Sequence, residues 1–379
     1  MAETYQKVAR GRGSIGKALQ MTEKLGMTRP LIVGSEKLTG ILLRKNPALL
    51  AAPVFSGYHP NPDFRDAAPG AALFRKQLCN GIISIGGGSA MDTAKAIKAI
   101  LIAGSPEKAL EGIYPDQPGA IPHLAIPGTA GTGAEATSNA VVYVRERKVS
   151  LSHPSLLPEG VVLDAALLDT LPEYHKKSAA LDALSQGIES YWCAAATEDS
   201  RVHAFLAVLG VLDNLKAYLA GDPHAAEEML DASFQSGKAI RTTRTTAAHA
   251  MSYQLTKTMN IAHGHACMLT LPVLWEMAAE RDEMKAVLED LSRKMRLSDP
   301  QMVPRLLRGI LYDLEMAVPE MPAEETLNEL ADSVNPERLG NHPVRMTRED
   351  VKEAYRRAFA PLCAAEKQAC LDIWNYYCA

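Results

Sequence analysis

The sequence lacks a strong charge of either sign and has little that could enter a membrane. Its 40 lysines and arginines nearly balance 44 aspartates and glutamates, and the formal charge of −4 argues against nucleic acid as a partner. Apolar runs such as residues 99–104 fall far short of the roughly 20 residues that cross a bilayer, so we expect no membrane span. The six cysteines form no CxxC pair, and no apolar h-region follows the charged N-terminal stretch. These absences predict a reduced, cytoplasmic protein.

The rest of the composition is that of a packed globular protein. Hydrophobic residues make up 47% of the chain and charged residues 22%, which excludes a disordered chain of low hydrophobicity. At about 150 residues per domain, a length of 379 residues predicts two domains as the simplest count. The sequence contains no internal repeat and no low-complexity tract that would suggest another division.

Residues 1–170 alternate between short β-branched runs and stretches with helical spacing. Such alternation, with apolar strands, predicts a largely parallel sheet covered by helices on both faces, as in an α/β dinucleotide-binding domain. The predicted strands are residues 30–34, 52–56, 81–86, 123–127 and 160–164, with a hairpin at 140–144 and 148–152. From residue 171 to 379 the strand signal disappears, and periodic apolar segments predict an all-α domain. A cleft between the two domains is the expected place for a ligand.

Two loops rich in small residues follow predicted strands. One loop contains Gly86, Gly87, Gly88 and Ser89, where glycines let the backbone approach a phosphate at the start of a helix. With Asp92 three residues later, Ser89 could equally be the N-cap of an ordinary strand-to-helix turn. The other loop, residues 127–137, adds three glycines and the hydroxyl groups of three threonines. At the end of the first predicted strand, Glu36 is an acid that could bind the adenosine ribose.

Four polar residues of the second half could bind a divalent cation. Asp182 and Gln186 are four residues apart and project from one face of a helix, and His249 and His263 follow along the chain. A carboxylate, two imidazoles and an amide oxygen suit Fe²⁺ or Zn²⁺. Taken one at a time, each residue also fits a structural role, and Asp182 could simply pair with a lysine at 176 or 177.

The motifs taken together resemble the iron-dependent, group III alcohol dehydrogenases, whose fold is shared with dehydroquinate synthase. The resemblance rests on Asn-Pro at 61–62, GGGSAMDTAK at 86–95, PGTAGTGAEAT at 127–137, DALSQGIESYW at 182–192, and HGHA at 263–266. It implies an N-terminal dinucleotide-binding domain and a helical, metal-carrying C-terminal domain. It also implies an NAD cofactor, with NADP possible because of Ser35, an Fe²⁺ or Zn²⁺ ion, and a homodimer or larger assembly.

Carried over position by position, the resemblance assigns roles to particular residues. The implied metal ligands are Asp182, Gln186, His249 and His263, although the family usually has histidine in place of Gln186. Many members have a histidine at the position of Tyr253, which makes Tyr253 and His265 the candidate proton donors here. The implied cofactor-binding residues are Ser35, Glu36, Asn61, Gly86, Gly87, Gly88, Ser89, Asp92, Thr129 and Thr132.

The glutamine in DALSQ, together with HGHA, resembles the pattern of the family branch that reduces phosphonoacetaldehyde or sulfoacetaldehyde. Such small anionic aldehydes need cationic or multiple-donor recognition, and two arginines precede His249. Ideal helical spacing puts Arg241, Thr245 and His249 on one stripe, whereas the branch pattern favours Arg244 as the basic residue. Tyr253 is a further candidate for contact with the substrate. Both arginines could instead only solvate a helix face.

The predicted reaction is hydride transfer from a nicotinamide lying in the cleft to an aldehyde whose oxygen is bound by the metal. One alternative is a broad-range primary alcohol dehydrogenase acting on 1,3-propanediol or butanol, which a neutral pocket would favour. Another is a lyase of the dehydroquinate-synthase type, which would need more basic residues near the ligands. A third is a non-catalytic protein whose metal site has decayed at Gln186.

Overall fold

The computed structural model describes residues 6–115, 121–145, 147–316 and 318–379. Contacts divide the chain into two compact units. One unit holds the described residues up to Leu171 together with Gly221–Gly237, and the other holds Pro172–Ala220 and Lys238–Ala379. The predicted division into contiguous domains at residue 170 stays a prediction, and the segment Gly221–Gly237 groups with the first unit although it lies in the second half of the sequence.

The first unit is built around a parallel sheet with the strand order β1-β8-β5-β4-β2-β3. A separate antiparallel hairpin consists of β6 and β7. The strands are β1 Lys7–Arg10, β2 Pro30–Gly34, β3 Val54–Phe55, β4 Gly81–Gly86, β5 His123–Pro127, β6 Asn139–Val144, β7 Arg147–Ser152 and β8 Gly160–Leu163. The predicted α/β class and the parallel sheet are confirmed.

Helices cover both faces of the parallel sheet because alternate strand residues point to opposite sides. Leu31 and Val33 of β2 belong to a core with helices α3 and α4, whereas Ile32 belongs to a second core with α1 and α2. The helices are α1 Ala18–Lys24, α2 Glu36–Lys45, α3 Phe64–Lys76, α4 Gly88–Ala103 and α5 Pro106–Leu110. The loops at the carboxyl ends of the strands are thereby anchored to a rigid layer.

The rest of the described chain is helical, as predicted. Its central helix is α10, which is buried on nearly all sides and packs against α6, α9, α12 and α15. The helices are α6 Glu173–Trp192, α7 Glu198–Leu219, α8 Pro223–Thr243, α9 Ala247–Met259, α10 His263–Ala279, α11 Asp282–Lys294, α12 Met302–Asp313, α13 Glu324–Asp332, α14 Pro336–Leu339, α15 Arg348–Phe359 and α16 Ala364–Cys378.

One of these helices, α7, is long and apolar enough to cross a membrane by length and composition alone. A core helix of a packed protein meets the same criterion, because it too is apolar over several turns. In the helical unit α7 packs along α6, where Gly187 allows close approach: a Cβ there would lie 2.8 Å from Cγ2 of Val208.

Candidate metal centre and cofactor-binding edge

Four side chains of the helical unit bring potential metal ligands to one point. Donor atoms of Asp182, His249, His263 and Cys267 all lie within 4.8 Å of one another. Oδ1 of Asp182 is 3.1 Å from Nε2 of His249 and 3.9 Å from Nε2 of His263, and Sγ of Cys267 is 3.9 Å from Nε2 of His263. Ligands of a tetrahedral ion at roughly 2.0–2.3 Å are about 3.3–3.8 Å apart, so the cluster fits a divalent cation after small shifts.

A glycine lets two of these ligands come together. A Cβ at Gly264 would lie 1.9 Å from the carbonyl oxygen of Ser178 and 2.8 Å from the Cβ of Asp182. Any larger residue would therefore push the start of α10 away from α6. The close approach holds His263, the first residue of α10, beside Asp182 in the middle of α6.

Behind His249 lies Glu189, a fully buried carboxylate that the sequence analysis did not assign to the site. Glu189 accepts hydrogen bonds from the Thr246 hydroxyl at 2.7 Å, from the backbone N–H of Ala248 at 2.8 Å, and from Nδ1 of His249. With Nδ1 engaged by Glu189, His249 turns Nε2 toward the other donors. Glu189 follows Asp182 by two helical turns, and this spacing is the signal that could have identified it.

Ser252 orients the second histidine. Its hydroxyl donates to the carbonyl oxygen of His249 at 2.8 Å and lies 3.2 Å from Nδ1 of His263. Because a hydroxyl has a single proton, Nδ1 of His263 is the donor in this second contact. Nε2 of His263, which faces Asp182 and Cys267, then carries the lone pair that can bind an ion.

Gln186 lies one turn after Asp182 on α6 and is buried. Its side chain makes a hydrogen bond with Asp182 that favours the ionised carboxylate. Since a carboxylate only accepts, the amide nitrogen of Gln186 is the donor. The structure therefore brings the predicted ligands Asp182, Gln186, His249 and His263 together, and the role of Gln186 as a ligand stays a prediction.

The charges in this cluster shift the pKa values of its members. Burial raises the pKa of Asp182, but the hydrogen bond to His249 and the charges of both imidazoles bring it below its usual value. Burial lowers the pKa of His249, but the charges of Cys267 and Glu189 raise it well above 6.5. Burial raises the pKa of the Cys267 thiol, but the two imidazoles outweigh this effect and lower it to about 7. A metal ion must therefore displace a proton from His249.

An arginine that no sequence pattern indicated borders the cluster. Nη1 of Arg338 donates to the Tyr253 hydroxyl at 2.6 Å, and the guanidinium carbon lies 5.0 Å from the centre of the Tyr253 ring. That ring stacks on His263 with centroids 5.8 Å apart and planes inclined by 6°. The His263 side chain is 35% exposed, whereas Asp182 and His249 are almost fully buried. The cluster therefore opens toward solvent beside His263 and Tyr253.

His265, the other candidate proton donor, lies elsewhere. Its Nδ1 is 3.2 Å from the hydroxyl of Tyr174, near the start of α6, and its backbone N–H donates to Ser178 at 3.3 Å. The Tyr253 ring stacks on His263, whereas His265 contacts Tyr174. This difference favours Tyr253 over His265 as the proton donor. Both assignments stay predictions.

The chain leaves the helical conformation just before His249. Residues 244–246 separate α8 from α9, and Arg244 has a φ of +61°. The predicted stripe of Arg241, Thr245 and His249 on one helix face is therefore wrong, because no single helix joins these residues. Arg241 and Arg244 are exposed and Thr245 is half-buried, and their part in substrate binding stays a prediction.

In the α/β unit the two glycine loops meet at the carboxyl ends of β4 and β5. The backbone N–H of Gly128 donates to the last carbonyl of β4 at 2.8 Å. A Cβ at Gly87 would lie 3.1 Å from Cγ2 of Thr129, and one at Gly88 would lie 3.1 Å from Cγ2 of Thr132. These glycines therefore let both threonines lie against the start of α4.

The predicted N-cap of α4 at Ser89 is wrong. The helix begins at Gly88, and the N-cap is Gly87, which offers no side chain. The Ser89 hydroxyl instead accepts a hydrogen bond at 3.3 Å from the backbone N–H of Asn61. A helix start without a side-chain cap leaves backbone N–H groups for an anion such as pyrophosphate. Asp92 lies one turn further on, where burial raises its pKa to about 6.

The strand order supplies a reason for a ligand at this edge. The chain runs from β2 outward to β3 and returns to β4 on the other side of β2. Ligands of open α/β sheets bind at the carboxyl ends of strands where the order reverses in this way. Ser35 and Glu36 follow β2 and are exposed, and Gly86 ends β4 on the neighbouring strand. The predicted cofactor residues thus share one edge of the sheet.

A buried lysine, also absent from the predicted site, holds the second loop. Nζ of Lys95 donates to the carbonyl oxygen of Ala134 at 2.6 Å, to the hydroxyl of Thr137 at 2.8 Å, and to the carbonyl oxygen of Asn139 at 2.9 Å. Burial lowers the pKa of Lys95 to about 8, although the negative charge of Asp92 acts to raise it. This contact ties α4 to the segment that follows β5.

Comparison with known proteins gives matches over nearly the whole chain. Residues 6–165 match the iron-containing alcohol dehydrogenase family, and residues 177–359 match the C-terminal domain of the Fe-containing alcohol dehydrogenase family. The chain is 29% identical over 381 residues to lactaldehyde reductase of Escherichia coli K12, covering 92% of this chain and 97% of the relative.

Two further proteins are similar to this chain. Phosphonoacetaldehyde reductase of Streptomyces viridochromogenes is 38% identical over 200 residues, which cover 50% of this chain and 51% of the relative. The crystal structure of sulfoacetaldehyde reductase from Bifidobacterium kashiwanohense in complex with NAD⁺ matches with a TM-score of 0.86 at 26% identity, covering 94% and 97% of the two chains. The motif-based resemblance and the expectation of an oxidoreductase are confirmed. The chain belongs to the iron-containing alcohol dehydrogenase family.

Proposed function

We propose that this protein is a metal-dependent reductase that uses NADH to convert a small anionic aldehyde into its alcohol. Family membership already supports alcohol dehydrogenase or aldehyde reductase activity. Two similar proteins carry the names of reductases for sulfoacetaldehyde and phosphonoacetaldehyde. The proposal of an anionic substrate rests on one observation: the guanidinium of Arg338 lies beside Tyr253, at the open side of the metal-ligand cluster.

The cofactor is assigned to the edge of the sheet where the two glycine loops meet. The start of α4 and the hydroxyls of Thr129 and Thr132 suit a pyrophosphate. Glu36, the first residue of α2 after β2, suits the ribose hydroxyls of NAD and would repel the additional phosphate of NADP. The similar sulfoacetaldehyde reductase was crystallised in complex with NAD⁺.

The metal is assigned to the helical unit. Asp182, His249 and His263 would hold it, since their donor atoms converge and their other polar atoms are engaged by neighbouring side chains. When bound there, a divalent ion supplies Lewis-acid polarisation of the substrate carbonyl.

The chain's own residues then manage the proton. Bound NADH would supply the hydride for the carbonyl carbon, and the carbonyl oxygen would then need one proton. Tyr253 gives its hydroxyl proton to that oxygen, which completes the alcohol, and Tyr253 regains a proton from solvent. The guanidinium of Arg338, which donates to the same hydroxyl, stabilises the phenolate between these two proton transfers.

Arg338 also fits recognition of the far end of the substrate. A guanidinium has five N–H donors, of which the contact with Tyr253 uses one, so a sulfonate or phosphonate can accept others. Arg241 and Arg244 are exposed, and the structure records no contact from either to the cluster within the described residues. We therefore assign the anion to Arg338 first and keep the other two arginines as comparison positions.

The test is a steady-state comparison of sulfoacetaldehyde, phosphonoacetaldehyde and propanal with NADH and with NADPH. The wild type should prefer one of the anionic aldehydes by about tenfold or more in kcat/KM. Arg338→Met should raise KM for that aldehyde by about tenfold or more, because a charge-assisted hydrogen bond is lost, while KM for propanal changes little. Arg244→Met and Arg241→Met are the matched controls and should leave this preference in place.

Other outcomes of the same measurements contradict the proposal. Equal kcat/KM for propanal and both anionic aldehydes would identify a broad-range alcohol dehydrogenase instead. Absence of net NADH oxidation with any aldehyde would exclude a reductase and favour the lyase alternative. Tyr253→Phe should lower kcat for every aldehyde, and an unchanged kcat would remove Tyr253 from the proton path.

One observation favours a second candidate function. A relative whose alignment covers 92% of this chain is a lactaldehyde reductase, and the substrate in its name is a neutral hydroxyaldehyde. Lactaldehyde therefore belongs in the substrate comparison. A preference for lactaldehyde that survives Arg338→Met would support this second function.

A further inference from the structure

We propose that Cys267 is a direct ligand of the metal ion, that Gln186 is not, and that the resulting Asp-His₂-Cys set selects Zn²⁺ over Fe²⁺. The inference deepens the proposed function, because it concerns the same metal centre. It differs from the ligand set that the family resemblance implies, in which the position of Gln186 supplies the fourth ligand.

The position of Cys267 supports direct ligation. Cys267 follows His263 by four residues on α10, so the two side chains project from the same face one turn apart. Cys267 is fully buried, and its Sγ lies 3.9 Å from Nε2 of His263 and within 4.8 Å of the donor atoms of Asp182 and His249. The 3.9 Å separation from His263 is close to the edge of a tetrahedron of zinc ligands, which is about 3.3–3.8 Å.

The contact made by Gln186 points to a different task. Its amide donates a hydrogen bond to the carboxylate of Asp182, and this carboxylate would also bind the ion. An outer residue that hydrogen-bonds a ligating carboxylate fixes the orientation of that ligand. Gln186 is therefore a positioning residue for Asp182, and the fourth donor position falls to Cys267.

The charges of the ligands have partners within the site. Asp182, His249 and Cys267 are all buried, and a buried charge needs a partner. A divalent cation balances one carboxylate and one thiolate among its ligands, and the buried carboxylate of Glu189 is held by Nδ1 of His249 and the backbone N–H of Ala248. On binding, the thiol proton passes to solvent as the metal–sulfur bond forms.

The thiolate also determines the choice of metal. Zinc binds nitrogen and sulfur ligands in a tetrahedral arrangement, and soft thiolate ligands favour it over iron as a mononuclear divalent ion. A ligand set made only of Asp, Gln and two His would contain no soft donor. Metal identity is therefore the property by which the two ligand sets differ most.

The experiment uses the full-length protein without substrate. After removal of metal, reconstitution with Co²⁺ should give a sulfur-to-metal charge-transfer band in the near ultraviolet. X-ray absorption of the zinc form should show a sulfur neighbour at about 2.3 Å. Cys267→Ser should abolish both signals and weaken zinc binding by about 100-fold or more in competition with a chelator, beyond the loss of an outer contact.

Two further variants and a metal competition complete the test. Gln186→Ala should keep both sulfur signals and weaken zinc binding by less than about tenfold, at the low end of outer-contact effects. Cys370→Ser, at another buried cysteine, should match the wild type. With equal Zn²⁺ and Fe²⁺ in an anaerobic competition, the wild type should retain zinc, and Cys267→Ser should lose this preference.

The opposite results overturn the inference. Absence of a sulfur signal from the metal-loaded wild type, or sulfur signals that persist in Cys267→Ser, would exclude Cys267 as the ligand. Retention of iron in preference to zinc would contradict the metal selection. If a protein with such results still reduced the anionic aldehyde, the proposed function would stand without this inference, whereas a wild type that binds no divalent metal would contradict both.

Discussion

Glu189 determines which nitrogen of His249 faces the metal-ligand cluster. One carboxylate oxygen accepts from Thr246 and Ala248, and the other faces Nδ1 of His249. Glu189→Gln should keep the first contacts but place an amide N–H against Nδ1. The proton then moves to Nε2, which loses the lone pair that binds metal.

We expect Glu189→Gln to weaken zinc or iron binding by about 10- to 100-fold, the usual effect of removing such an outer contact. Competition with a chelator measures the affinity, and circular dichroism checks that the helices remain. Glu198→Gln, at the exposed first turn of α7, is the matched control. An affinity equal to that of the wild type would mean that Glu189 has only a structural role.

The site residues that sequence could identify were those carried by local spacing or family motifs. Asp182, His249 and His263 were predicted and do converge. Cys267 was within reach of the same reasoning, because it follows His263 by one helical turn. Arg338 was not, because its contact with Tyr253 depends on how α14 packs on α9 rather than on any spacing along the chain.

At the scale of elements, the buried central strands were predicted well, but an edge strand and a helix break were not. β2, β4 and β5 are continuous apolar runs, and each was predicted with the observed bounds. β1, residues Lys7–Arg10, was missed because its ends are charged and exposed, and it joins the sheet only by pairing with β8. A kink or bulge next to His249 was a reason to prefer Arg244 over Arg241, but the bounds of the break at residues 244–246 could not be predicted, because its backbone turn at Arg244 occurs in a residue other than glycine.

Lys95 links two elements, α4 and the segment after β5, and its buried amine gives a pH dependence to stability. The pKa of Lys95 is about 8 in the folded protein, against 10.5 for an ordinary lysine. Between these values the unfolded chain binds a proton that the folded chain has lost. The contribution of Lys95 to the free energy of unfolding therefore rises with pH across this window.

Lys95→Met removes this contribution. We expect the variant to be less stable than the wild type at every pH, because the carbonyl oxygens of Ala134 and Asn139 lose a donor. The deficit should grow by roughly 2 kcal/mol between about pH 7.5 and about pH 9.5. Urea unfolding at both pH values measures it, with Lys76→Met on the exposed end of α3 as the control. A deficit independent of pH would contradict the buried, shifted amine.

At the scale of the whole molecule, the division into compact units does not follow the order of segments along the chain. Gly221–Gly237 belongs to the α/β unit although the sequence places it among the helices of the second half. Gly133 and Gly237 explain part of this grouping: a Cβ on Gly237 would lie 2.2 Å from the carbonyl oxygen of Gly133. Composition and periodicity identify a helix in this segment, but they carry no information about which unit it joins.

This grouping predicts how fragments of the chain fold. A fragment of residues 1–171 lacks the contact at Gly133 and the ion pair between Arg10 and Asp231, so it should be less stable than the same fragment joined by a flexible linker to residues 221–237. Burial of Met229 and Phe234 suggests a difference of about 2 kcal/mol or more in urea unfolding. Gly237→Val in the joined fragment should abolish the gain, because its side chain cannot fit against Gly133. Equal stability of the joined and unjoined fragments would show that the α/β unit is complete at residue 171.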